Sequence, residues 1–142
     1  MDPQKVYIIC PVRKLTKEEK ELILAYVQTL EHDQGSIVRV PFRDTDQSDE
    51  LGLKIVQEHE DDIIWADEIH VWWNPASEGS LFDFAQARMA KRFMPEKKIV
   101  LANVGDVETT NDKSYTNVVL ATHLELTPNS TLDELKEKKE LK

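Results

Sequence analysis

Apolar residues in this chain fall into short continuous runs, separated by longer stretches in which they recur every three or four positions. That alternation predicts strands interleaved with amphipathic helices. Residues 6–10 (Val-Tyr-Ile-Ile-Cys) read as a strand buried on both faces, and Thr16 with Glu19 forms a capping box for the helix that follows. Ile23, Tyr26, Val27 and Leu30 then repeat at helical spacing until Gly35 supplies a stop. Residues 37–40 form a second strand. Ser48, Asp49 and Glu50 open a helix whose apolar stripe runs Leu51, Ile55, His59, Ile63, and residues 68–73 give a third strand. A third helix follows Asp83 with a predicted buried seam of Phe82, Ala85, Met89 and Phe93, and Pro95 ends it before a strand at 99–102. Residues 118–121 suggest a shorter fifth strand. Thr131 with Glu134 caps a last helix that frays into a Lys/Glu tail.

A strand-helix repeat of this kind requires crossovers, and crossovers make parallel sheets. The expected fold is therefore α/β: a doubly wound, Rossmann-like, mainly parallel five-stranded sheet, order 2-1-3-4-5, with helices on both faces. Ligands then belong at the carboxyl ends of the strands. The turn after the first strand lacks Gly-x-Gly-x-x-Gly, and no Gly-Lys-Ser/Thr occurs, which excludes a dinucleotide cradle and a P-loop. Trp72 and Trp73 are adjacent on the third strand, so each is expected under a helix on a different side.

Composition narrows the function classes. A chain of 142 residues with 40% apolar content suits a single domain spanning residues 1–142. The formal net charge of −9 argues against binding a nucleic-acid polymer, which needs clustered Lys and Arg to displace counterions. Cys10 is the single cysteine and is expected to be a small buried apolar residue; the four histidines lack metal-ligand spacing, so neither metal nor cofactor is expected. A polar start and a first apolar run of only strand length predict a cytoplasmic protein with no membrane segment.

The chemistry concentrates in residues 66–87, a strand, a polar loop with Ser77 and Gly79, and a helix bearing Asp83 near its start. The helix macrodipole there would favour the charged carboxylate. With Phe82, Ala85 and Ala87, this segment resembles the nucleoside 2-deoxyribosyltransferase family and its nucleotide N-glycosidase relatives, Asp83 standing where the family carries a catalytic Glu. The resemblance implies a nucleoside or 5′-nucleotide substrate and cleavage or transfer at the N-glycosidic bond, with Asp83 as nucleophile through an oxocarbenium-like transition state. It implies a second acid on the helix before the third strand. Asp62 is assigned there, although the ungapped match falls on His59. It further implies phosphate contacts from Arg13, Ser77 and Gly79, a base pocket walled by Phe42, Arg43 and Trp73, and a homodimer or higher homo-oligomer, for which Phe84 and Phe93 offer anchors. The competing expectations are structural: Asp83 caps the helix or pairs with Arg88 or Arg92, Ser77 is an N-cap, Arg13 is a solvated cation, and both tryptophans are core. The chain would then be a nucleotide-binding or interaction module without catalysis.

Overall fold

Four of the apolar runs pair side by side in the computed structural model, which describes residues 2–141. β1 (Lys5–Ile9), β2 (Ile37–Arg39), β3 (Glu68–Val71) and β4 (Lys98–Leu101) form one sheet in the order β2-β1-β3-β4, and every pairing is parallel. Between and after them lie α1 (Lys17–Gln28), α2 (Pro41–Asp44), α3 (Leu53–Trp65), α4 (Glu78–Phe93), α5 (Tyr115–His123) and α6 (Leu132–Glu140).

Hydroxyl side chains start four of these helices. Thr16, Ser77, Ser114 and Thr131 each accept a hydrogen bond from the backbone N–H three residues on, an arrangement worth about 1 kcal/mol per helix. Gly35 adopts φ +67° after α1 and its following π turn, as the stop signal required. The start of α3 is corrected. Ser48, Asp49 and Glu50 lie outside it, Gly52 holds the N-cap position at φ +91°, and Leu51 is exposed. Asp49 still serves this end, accepting the Lys54 N–H at 2.8 Å. At the other end, the buried Lys97 ammonium donates to the carbonyls of Ile64 and Ala66.

The fifth strand is also corrected, because residues 118–121 lie inside α5. A run of β-branched and apolar residues suits a strand by propensity, but tertiary burial decides. The adjacent Val119 and Leu120 are both buried, whereas Val118 is exposed and its carbonyl accepts from the Thr122 hydroxyl one helical turn on.

Alternate residues of β1 enter separate apolar clusters. Val6, Ile8 and Cys10 pack with Ile23 and Val27 of α1, and Trp72 joins them. Tyr7 and Ile9 pack with Ile63 of α3, Phe84 and Ala87 of α4, and Val119 and Leu120 of α5, and Trp73 lies on this side. The tryptophans divide as the strand alternation predicted.

The seam of α4 is the largest correction to the helices. Ser80, Asp83, Phe84 and Ala87 are its buried residues, while Phe82, Met89 and Phe93 are exposed. Both sets have helical spacing, and the inner one contains two polar residues.

Candidate functional site

Asp83 is the sixth residue of α4. At 1.5 Å per residue it sits about 8 Å along the helix, beyond the first turn in which the macrodipole is felt. The dipole argument is therefore replaced by side-chain contacts. Asp83 is buried, and its neighbours come from β1 and α3, both packed against α4 on one side of the sheet.

Tyr7 of β1 donates its phenolic O–H to Asp83 Oδ2 at 3.2 Å. His59 of α3 places Nδ1 3.0 Å from the same oxygen, a contact that carries full charge when the imidazole is protonated. The Tyr7 and His59 rings lie 6.0 Å apart between centroids. Both contacts end on Oδ2, and among the described residues Oδ1 receives no hydrogen bond. The Asp83 side chain keeps 9% of its surface exposed, so it is not wholly sealed from solvent.

Two further groups take their state from this cluster. Burial first, then the negative charge of Asp83, pushes the Tyr7 phenol well above its ordinary pKa, which keeps it a proton donor at neutral pH. The Cys10 thiol is pushed up to about 12 by burial and then by Asp83, so it stays a protonated, buried small residue as expected. His59 Nε2 is buried without a hydrogen-bond partner among the described residues. Unpaired polar atoms in such positions cost roughly 1–3 kcal/mol.

The other expected site residues are distributed differently. Asp62 binds Arg39, Nη1 to Oδ1 at 2.7 Å, and it is His59, where the ungapped match falls, that reaches Asp83. Ser77 caps α4 and shares its hydroxyl with Ser80 Oγ at 2.9 Å. Gly79 has a negative φ, and a Cβ there would meet nothing within 4 Å, so packing does not demand a glycine. Arg13 is exposed beyond β1 and makes no hydrogen bond or ion pair among the described residues. Phe42 packs on the α1 side of the sheet, under Lys20 Nζ at 5.4 Å from its ring, opposite the face that carries Asp83. Arg43 is engaged by Asp44 at 3.0 Å and Glu31 at 3.2 Å. Trp73 is a core residue whose Nε1 donates to Thr116 Oγ1 at 3.0 Å and whose ring meets Phe84 edge-on. Arg88 and Arg92 make no ion pair with Asp83. Phe84, expected as a surface anchor, is corrected to a core position.

Tyr7 is the site residue that sequence reasoning missed. Its signal was present: a polar-tipped residue at an alternate position of an otherwise aliphatic strand needs a partner for its hydroxyl. The partner's identity depends on α4 rotating Asp83 inward.

Among the described residues, no group of three or more His, Cys, Asp or Glu side chains is placed to hold a metal ion, and no helix is long and apolar enough to cross a membrane. Comparison with protein-family models and with curated proteins gives no match to this chain.

Proposed function

We propose that this chain cleaves, or transfers at, the N-glycosidic bond of a nucleoside or 5′-nucleotide, on a doubly wound fold of the deoxyribosyltransferase type, with Asp83 as nucleophile. The observation that carries the reading is the asymmetry of the Asp83 carboxylate: Oδ2 is held by Tyr7 and His59, while among the described residues Oδ1 receives no hydrogen bond. A carboxylate nucleophile needs one oxygen positioned and the other available. In the reaction, Oδ1 attacks C1′ and the C1′–N bond breaks, the base leaving with the bonding pair and taking a proton from water. Hydroxide equivalent from that water, or a second base, then displaces the carboxylate. Arg13, Ser77 and the Gly79 backbone are the groups assigned to a 5′-phosphate, the first because it is a cation with no partner among the described residues.

The test is a panel of nucleosides and 5′-monophosphates with free base measured by chromatography. Wild type releases base and folded Asp83→Asn does not; release unchanged in Asp83→Asn removes Asp83 from the chemistry. A second reading, a nucleotide-binding or interaction module, is favoured by the engagement of Asp83 and by the fact that Asp83 lines neither of the cavities of ≈ 590 and ≈ 570 Å³. It predicts binding with no base released from any member of the panel.

The same reading includes a homodimer built on α4. Phe82, Met89 and Phe93 are 53%, 55% and 79% exposed and share one face of the helix with Gln86. Positions 82 and 93, and 86 and 89, are symmetric about the point between Ala87 and Arg88. An antiparallel second copy therefore sets phenylalanine against phenylalanine across a two-fold axis, with the small Ala85 and Ala90 permitting close approach.

A further inference from the structure

The cavity of ≈ 590 Å³ lies away from Asp83, between α4, α5 and α6, and none of the residues assigned to the N-glycosidase reading lines it. Its volume is within the usual range of small-molecule sites, about 300–1,000 Å³. Between its helices the chain leaves α5 through Glu125, a non-glycine residue at φ +58°, before Thr131 caps α6. Leu135 anchors α6 in the core, and the space between the helices is floored by Val118, Ala121, Leu126 and Leu132.

The charge at the rim is of the opposite sign to that of the whole chain. The charged residues that line it are Arg88, Lys113 and Asp112, two cations and one acid, a balance of +1 in a protein of net charge −9. Asp112 is turned to its own loop, where Oδ1 accepts the Lys113 backbone N–H at 2.8 Å. Arg88 is held differently. Its Nη1 donates to Thr122 Oγ1 at 2.7 Å, and that hydroxyl in turn donates to the Val118 carbonyl at 2.7 Å. A neutral hydroxyl thus orients the guanidinium, and among the described residues no carboxylate lies in ion-pair contact with it. An arginine offers five N–H donors in a fork that matches a carboxylate, and among the described residues one of them is used.

From the apolar floor and this unneutralised cation the geometry points to a binding site for an amphipathic organic anion, a monocarboxylate with an unbranched apolar tail, its head on Arg88 and its tail along Val118, Ala121, Leu126 and Leu132. A simple inorganic anion would leave the floor exposed, and a neutral or cationic amphiphile would leave Arg88 unused. The site is independent of the chemistry proposed for Asp83.

Calorimetric titration with decanoate tests this, with acetate and decyltrimethylammonium as the tail-less and opposite-charge controls. Wild type binds decanoate saturably at one per chain. Acetate and the ammonium bind at least roughly tenfold more weakly, a difference of about 1.4 kcal/mol. Arg88→Gln, at an exposed position and checked for an unchanged circular dichroism spectrum, weakens decanoate by a similar factor. Val118→Trp, which fills the floor, abolishes binding, and Asp83→Asn leaves it unchanged. Amide chemical shifts moved by decanoate map to α5, α6 and the 112–114 loop. The proposal is overturned if decanoate does not bind, if it binds no better than the ammonium, if Arg88→Gln binds as wild type, or if decanoate changes only the self-association of the chain.

Discussion

Replacing Tyr7 by Phe removes one oxygen from the buried cluster and changes no packing volume, so its effect measures the Tyr7–Asp83 hydrogen bond with little else. A hydrogen bond to a charged acceptor contributes about 1.5–3 kcal/mol. At 3.2 Å this one is longer than the usual O–H···O distance of about 2.7–2.8 Å, which places it at the lower end. The loss is moderated further because Asp83 keeps His59 and an open Oδ1, so no fully stranded charge is created. The expected destabilisation is about 1.5 kcal/mol. With a urea dependence of about 2 kcal/mol per molar for a chain of this size, the unfolding midpoint falls by roughly 0.7 M. The assay is equilibrium urea unfolding followed by circular dichroism and by tryptophan fluorescence, whose transitions must coincide for the number to have meaning. A double-mutant cycle with Asp83→Ala, which removes the acceptor, then isolates the pair, and a coupling of about 1 kcal/mol is expected. Coupling below about 0.3 kcal/mol, or a Tyr7→Phe protein as stable as wild type, would refute the claim that this contact holds β1 to α4.

Three other outcomes follow from particular contacts. His70 is buried against Tyr26 Oη at 2.6 Å and Glu68 Oε1 at 2.9 Å, and burial, outweighing the pull of Glu68 and aided by Lys98, lowers its pKa from 6.5. The unfolded chain then binds that proton more readily, so this stability is present above about pH 6.5 and is lost below it; urea midpoints should drop less between about pH 7.5 and 5.5 in His70→Gln than in wild type, and equal drops would contradict the assignment. Gly79→Ala should stabilise the protein by up to about 1 kcal/mol, since the site has helical φ and open space for a Cβ. Thermal melts check this, and weaker 5′-monophosphate binding in the same variant would mark a close backbone approach by phosphate. Phe93→Asp should shift the protein from dimer to a 16.4 kDa monomer in sedimentation equilibrium, and a wild type that is already monomeric at micromolar concentration would remove the α4 interface.

Some of the architecture was legible because it rests on local signals. The strands at 6–10, 37–40, 68–73 and 99–102 lie within two residues of β1 to β4, since continuous apolar runs have few alternatives in a parallel sheet. Thr16, Ser77 and Thr131 cap helices because a hydroxyl beside three free N–H groups needs no distant partner. The fifth strand failed for the opposite reason. Residues 118–121 have a strand-like composition but follow a helix cap at Ser114, and burial of Val119 with Leu120 goes with the helix.

The sequence by itself determined the alternation of strands and helices, the parallel order, the acidic surface and the presence of an acid in α4. Only the tertiary structure decided which way that acid points. Two stripes of α4 have the same helical period; hydrophobicity favours Phe82, Met89 and Phe93, yet Ser80, Asp83, Phe84 and Ala87 face the sheet. The physical reason is that an inward carboxylate is tolerable only when partners are waiting, and those partners, Tyr7 and His59, lie 76 and 24 positions away along the chain on two other elements.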